Sequence, residues 1–309
     1  MKTCLYCGKP VEGQWHVACS KKFFGTNEPP CIDLSQEQLE AIAYKATGKG
    51  ITIPGVQKKL SLTLQREKGQ PPRLTIVDTP TGFILKPQSQ EYGQLPEAED
   101  LVMHMATAAD IATVPHALIT LQNGELAYIT RRIDRKGKQR IAMEDFCQLS
   151  GRLTEDKYKG SYEQCAKILR QWSSRPLLDI TNLYYLLLFC FVTGNSDMHL
   201  KNFSLIAEAP GTFILAPAYD LLPVQLLIPK DTEEMALTLC GEKANLSCST
   251  FLQLGNRFGI EERVVLNLIK KLQDLEPTFK VLIETSFVSS ELQERMKKLL
   301  SDRLLVLAG

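Results

Sequence analysis

The sequence predicts an α+β chain of two lobes, the first rich in strands and the second mainly helical. Three observations predict it. Apolar residues alternate with period two from Lys59 to Leu64; four more short strand-like runs follow before residue 131; and from Glu144 onward helical patterns dominate, broken by one hairpin. The 309 residues carry 36 basic and 35 acidic side chains, a net charge of +1, with 44% hydrophobic and 7% aromatic residues. This composition can bury a core and excludes collagenous, disordered and repeat architectures. Near-neutrality argues against a phosphate-neutralising surface, so no direct nucleic-acid binding is expected.

Taken in order, residues 1–31 form a Cys-rich head that ends at Pro29-Pro30-Cys31, where the prolines interrupt regular structure. Ser35 with Gln38 three residues later reads as a helix start. Lys59–Leu64, Arg73–Val77 and Gly82–Lys86 then read as a three-stranded meander with turns at residues 69–72 and 78–82. Pro96–Ala109 reads as a helix, and Ala117–Leu121 with Glu125–Thr130 as a hairpin around a two-residue Asn123-Gly124 turn. The polar segment Thr130–Arg140 is the expected hinge, which gives domains 1–31, 32–131 and 132–309. The longest apolar run, Leu183–Val192, falls short of the ~20 residues of a bilayer span, so it is expected to be a buried helix and no membrane association is expected. The N-terminus has no apolar signal region, and the nine cysteines are odd in number, which fits a reducing cytoplasm.

The densest polar segment, Gly194 to Asn202, lies between a wholly apolar helix and an apolar strand. Asp197 with Asn202 five residues later has the spacing of a kinase catalytic loop, in which the Asp accepts a hydroxyl proton and the Asn holds magnesium. The same pair could also simply cap a turn. A hairpin from Phe203 to Ala216, turning at Pro210-Gly211, would bring Asp220 back beside Asn202. Two such oxygen ligands suit magnesium, which takes few protein ligands. Lys86 ends a strand at Pro87, and a kinase pairs such a lysine with a glutamate of the next helix. Glu97 and Glu99 are both available, and helical geometry favours Glu97, nearer the stripe of Leu101, Met105 and Ala108. The lysine-rich Pro54-Gly55-Val56-Gln57-Lys58-Lys59 stands where a phosphate-covering loop would be expected, without a Gly-x-Gly-x-x-Gly pattern.

Together, Gly55–Ser61, Phe83–Pro87, Leu95–Glu99, Arg132–Arg135, Glu144–Leu149, Asp197–Leu205 and Ala216–Leu222 resemble the HipA family of bacterial serine/threonine kinases, and more closely its short HipT-like branch. The resemblance implies a two-lobed protein-kinase-like fold and an ATP- and magnesium-dependent kinase acting as the toxin of a toxin–antitoxin system. The implied substrate is an aminoacyl-tRNA synthetase, and a cognate antitoxin is the implied partner. It implies Asp197 as catalytic base, Asn202 and Asp220 as magnesium ligands, and Lys86 as the phosphate-holding lysine, paired with Glu99. His199, Leu200, Lys201 and Tyr219 would line the ATP site, Arg131, Arg132 and Ile133 would form the adenine-side segment, and Pro54–Lys59 would cover the phosphates. Family members autophosphorylate a hydroxyl just before that loop, which here is Thr52; a second such hydroxyl is replaced by Pro54. The longer HipA proteins carry an additional N-terminal subdomain, and the Cys-rich head is expected in its place here. The rival readings are a catalytically silent binding module and a small-molecule phosphotransferase.

Cys4-x-x-Cys7 followed by His16-x-x-Cys19 has the ligand types and pair spacing of a small structural zinc site. Against metal, Trp15, Phe23 and Phe24 could pack the head onto the first lobe unaided. The basic run Arg131–Arg140 has no aromatic residues to stack bases, so a solvated hinge is the better reading than a nucleic-acid surface.

Overall fold

The computed structural model describes residues 2–32, 59–77, 82–89, 91–137, 139–228 and 232–309. The expected helix at Ser35, Thr52 and the loop residues Pro54–Lys58 lie outside the described residues; Lys59 is described and exposed. The chain divides into two compact units, Met1–Asp100 with Val114–Arg140, and Leu101–Thr113 with Ile141–Gly309. The Cys-rich head therefore belongs to the first unit instead of standing alone, and that unit extends to Arg140, past the boundary expected at Arg131.

In the first unit, β1 (Lys2–Thr3) pairs antiparallel with β2 (Pro10–Val11), and a helix follows at Val17–Phe24. The main sheet holds β3 (Leu60–Gln65), β4 (Arg73–Ile76), β5 (Phe83–Lys86), β6 (His116–Thr120) and β7 (Leu126–Arg131), in the order β4-β3-β5-β7-β6. All pairings are antiparallel. This is not the expected meander: β5 pairs with β3, and β4, which follows Pro71-Pro72, lies at the edge, where missing N–H donors cost least. The β6–β7 loop also differs from the expected two-residue turn. Gly124 N–H donates to Leu121 C=O and Leu121 N–H to Glu125 C=O, and only Gly124 has positive φ, at 86°. A type I′ turn needs positive φ at both central residues, so the connection is a longer turn closed by a left-handed glycine. The expected hinge contains a short hairpin, β8 (Arg135–Lys136) with β9 (Gln139–Arg140).

The second unit is built on the helix Pro176–Thr193, against which the helices Tyr162–Trp172, Glu262–Asp274 and Ser290–Ala308 pack. It starts seven residues before the apolar run that announced it, with proline in the first turn, where a missing N–H costs nothing. By length and hydropathy it could cross a membrane, yet 72% of it is buried inside the protein, as befits a core helix. The helix stops at Gly194, whose φ of 69° lets its N–H reach back to Cys190 and Phe191. A small sheet follows: β10 (Met143–Asp145), β11 (Ser204–Ala209) and β12 (Thr212–Leu215), with β11 in the centre. The hairpin at Pro210-Gly211 has the expected form, and β10 is a third strand that the sequence did not announce.

Candidate active site

In the first unit, β5 carries Lys86 at its last position, where Pro87 ends the strand. The helix Leu95–Ala108 follows and presents Glu99. Lys86 Nζ donates to Glu99 Oε1 at 2.5 Å, with both side chains buried, 2% and 0% exposed. The ammonium also sits over the Tyr128 ring, 5.2 Å from its centroid. Glu97, which helical geometry favoured, instead accepts from Gln88 Nε2 at 2.8 Å through both oxygens. Burial raises the Glu97 pKa, partly offset by its own backbone N–H and by Gln88. Along the segment Arg131–Ile133, Arg131 N–H donates to Pro115 C=O and Arg132 N–H to Gly82 C=O, both at 2.9 Å; Ile133 is half-buried. The Arg132 guanidinium is bidentate to Asp134, at 2.9 and 2.7 Å, and Arg135 joins at 2.8 Å. Burial alone would raise the Asp134 carboxyl, but the two guanidiniums outweigh it and hold its pKa below the usual value. Two of the arginines in the basic run are thus spent on a local ion pair, as a structured connection requires.

In the second unit, the segment after Gly194 is pinned by short-range bonds. His199 N–H donates to Asp197 C=O at 2.8 Å, Asn202 N–H to His199 C=O at 2.9 Å, and the buried Tyr162 hydroxyl to Met198 C=O at 3.2 Å. Asp197 is half-buried, and its Oδ1 accepts from the Tyr158 hydroxyl at 2.6 Å. Asn202 is buried, and its side-chain nitrogen lies 3.4 Å from Asp197 C=O and 3.9 Å from Met198 Sδ. Both partners are acceptors, so that atom is the amide donor and Oδ1 is the atom Asn202 can offer a cation. Asp220 lies five residues beyond β12, held by the segment before it: Ala218 N–H donates to Ala112 C=O at 2.7 Å, and Thr113 and Ala218 form a parallel bridge. Asp220 has φ 57°, an uncommon conformation for a side-chain-bearing residue that tends to occur at functional sites. Its neighbour Tyr219 shares its hydroxyl between Ser204 Oγ at 2.6 Å and Lys201 C=O at 3.1 Å, which ties the far end of the hairpin to its start. Burial pushes the Tyr219 phenol well up, so it stays protonated. Lys201 pairs with Asp145 Oδ2 at 2.8 Å, His199 is buried edge-on to the Tyr158 ring, and Leu200 is fully buried.

Two residues at this site were not predicted to be there. Asp145 lay in a segment quoted for its resemblance but had no assigned role, and only the pairing of β10 with β11 brings it to Lys201. Tyr158 carried no signal at all, being an exposed aromatic in an irregular segment.

An α+β chain with a five-stranded main sheet in its first unit, a helical second unit, a buried strand-end lysine paired to a helix glutamate, and an Asp-x-x-x-x-Asn loop before a hairpin defines a kinase-like class. The HipA-like C-terminal domain model matches residues 51–279, and the chain belongs to that family. "Putative kinase Y4dM" of Sinorhizobium fredii is 29% identical over 260 residues, 80% of this chain and 62% of that protein. "Putative kinase Y4mE" of the same organism is 31% identical over 210 residues, 65% of this chain and 48% of its own. A "Putative kinase" of Haemophilus influenzae is 27% identical over 231 residues, 70% and 64%. The chain thus spans about half to two thirds of these relatives' lengths. Among solved structures, the fold is similar to a chain of the Shewanella oneidensis toxin–antitoxin complex of HipA, HipB and operator DNA. There the TM-score is 0.69, with 19% identity, 82% of this chain and 64% of that one. The Helicobacter pylori proinflammatory kinase CtkA follows at TM-score 0.51 and 13% identity, covering 72% and 86%.

Proposed function

We propose that the chain is a protein serine/threonine kinase dependent on ATP and magnesium, and that it acts as the toxin of a bacterial toxin–antitoxin pair. The observation that carries this reading is the Lys86–Glu99 pair. Burying two charges costs several kcal/mol that an apolar pair of similar volume would not, so stability is a poor reason to keep the pair. A rigid ammonium placed to hold nucleotide phosphates is a good one.

The hard oxygen donors of Asn202 and Asp220 fit magnesium, and magnesium-bound ATP supplies the transferable phosphoryl group. Asp197 would accept the proton of the acceptor hydroxyl, with the Tyr158 hydrogen bond to its Oδ1 holding the carboxylate in place. His199, Leu200, Lys201 and Tyr219 would shape the nucleotide side, with Arg131–Ile133 toward adenine and Pro54–Lys59 over the phosphates. Thr52 is the proposed autophosphorylation site. The family resemblance supports an aminoacyl-tRNA synthetase as acceptor, a cognate antitoxin as partner and a place in the HipT-like branch, and the odd number of cysteines fits the cytoplasm as location. The solved HipA relative in complex with HipB supports the antitoxin partner by analogy of fold.

Incubation of the purified protein with labelled ATP and a bacterial lysate, beside Asp197→Ala, tests the reading. A labelled protein band that the variant lacks is expected. No protein band, or an equal band from the variant, refutes the kinase; label confined to small molecules makes it a small-molecule phosphotransferase.

A further inference from the structure

We propose that the N-terminal head is a structural zinc site whose ligands are the thiolates of Cys4, Cys7 and Cys19 and Nδ1 of His16. One ligand atom from each residue lies within 4.8 Å of all the others. Cys7 Sγ is 3.5 Å and Cys19 Sγ 3.6 Å from His16 Nδ1. In a tetrahedral site with Zn–S of ~2.3 Å and Zn–N of ~2.0–2.1 Å, sulfur and nitrogen lie ~3.6 Å apart. The two separations are those of tetrahedron edges.

The histidine's other nitrogen fixes its state. His16 Nε2 is 3.0 Å from Pro10 C=O. A carbonyl only accepts, so Nε2 carries the proton and Nδ1 presents a bare lone pair. A metal-bound histidine commonly donates its second ring N–H to a backbone carbonyl in this way, which sets tautomer and ring orientation. Hydrogen bonding alone accounts for less: one lone pair accepts one S–H well, yet two sulfurs stand at nearly equal range.

The backbone prepares the site from both sides. Cys4 N–H donates to Lys9 C=O at 2.9 Å and Gly8 N–H to Cys4 C=O at 3.0 Å, which folds the Cys4–Cys7 turn between β1 and β2. His16 is the N-cap position of the helix Val17–Phe24, and Cys19 stands in its first turn. Four protein ligands leave no open position, so the site is structural and not catalytic.

Its consequence falls on the strand that carries Lys86. Leu118 N–H of β6 donates to Leu5 C=O, inside the Cys4–Cys7 turn, at 2.9 Å. Phe23 and Phe24 of the helix meet Phe83, the first residue of β5, at 5.8 and 5.5 Å between ring centroids. Zinc would join turn and helix, and through them buttress β5 and β6.

Full-length protein purified under reducing conditions is expected to hold about one zinc per chain. Cobalt exchanged for zinc is expected to show tetrahedral d–d bands and thiolate-to-cobalt charge transfer. Cys7→Ser with Cys19→Ser should lower zinc affinity by at least ~10-fold, since even loss of an outer-shell partner costs that much. Cys31→Ser, an exposed cysteine outside the cluster, should keep it. Less than ~0.1 zinc in the wild-type chain, a cobalt spectrum without charge transfer, or wild-type zinc affinity in the double variant overturns the proposal. If the double variant fails to fold, the wild-type metal content and cobalt spectrum decide alone.

Discussion

The Tyr158 hydroxyl donates to Asp197 Oδ1 across 2.6 Å, and the tyrosine ring stands edge-on to His199 at 4.9 Å between centroids. Asp197 is thus steered by two neighbours from outside the Asp-x-x-x-x-Asn signature: Asn195, whose Oδ1 accepts its backbone N–H at 3.2 Å, and Tyr158. Tyr158 is 43% exposed, so the covering group lies at the protein surface, where a macromolecular acceptor could displace it.

Tyr158→Phe separates steering from catalysis. Removing the hydroxyl takes away one constraint on the orientation of the carboxylate and leaves the base in place. A loss of less than about tenfold in kcat is expected, with KM unchanged. Asp197→Asn is expected to lose about 10²–10⁴-fold, the usual worth of a general base. An unchanged kcat in Tyr158→Phe would show that the hydrogen bond does not steer Asp197.

The Lys86–Glu99 pair predicts a split between stability and activity. Lys86→Met leaves a buried carboxylate without its partner and is expected to cost about 3–5 kcal/mol in urea unfolding. Lys86→Met with Glu99→Leu removes both charges and should recover most of that stability. Phosphotransfer should stay lost in both variants, and a doubly substituted protein that still transfers phosphate would remove the proposed role of Lys86.

The candidate site residues were legible in the sequence where a polar group stands at the end of an apolar element. Lys86 before Pro87 and Asp197 after the core helix are such cases. Periodicity pointed to Glu97 instead of Glu99, and it misled because Leu95 to Met103 of the helix are all buried. A helix buried around most of its circumference has no single apolar stripe from which to measure. Alternation marked β3, β4 and β5 but not their order, since pairing β5 with β3 is a long-range choice that no local pattern encodes. β10 is three residues, Met-Glu-Asp, and exists as a strand only because β11 offers it an edge.

Asp134 predicts a pH dependence of stability. Its folded pKa lies below the ordinary value of 3.8 because Arg132 and Arg135 outweigh its burial. A carboxyl depressed on folding contributes stability that is fully present above its unfolded pKa and is lost as pH falls through the folded one. Asp134→Asn should therefore lower the urea midpoint at neutral pH, and the gap to wild type should close below about pH 4, where the unfolded carboxyl takes up its proton. A gap independent of pH down to acid unfolding would assign the effect to packing.

Gly194 governs the entry to the Asp197–Asn202 segment. Its φ is 69°, and an added Cβ would lie 2.6 Å from Leu299 Cδ2 and 3.4 Å from Gln225 Oε1. Backbone strain and overpacking therefore act together, each worth about 1–3 kcal/mol. The leucine tip can turn aside, so the expected loss in Gly194→Ala is about 1–3 kcal/mol, read as a lower urea midpoint at unchanged m-value. Asn195 N–H donates to Cys190 C=O across this corner at 2.8 Å. Any reorientation of the corner passes directly to Asp197, two residues on from Asn195, so phosphotransfer should fall more steeply than stability predicts. Wild-type kcat in a destabilised Gly194→Ala protein would show that the helix end and the Asp197–Asn202 segment are mechanically independent.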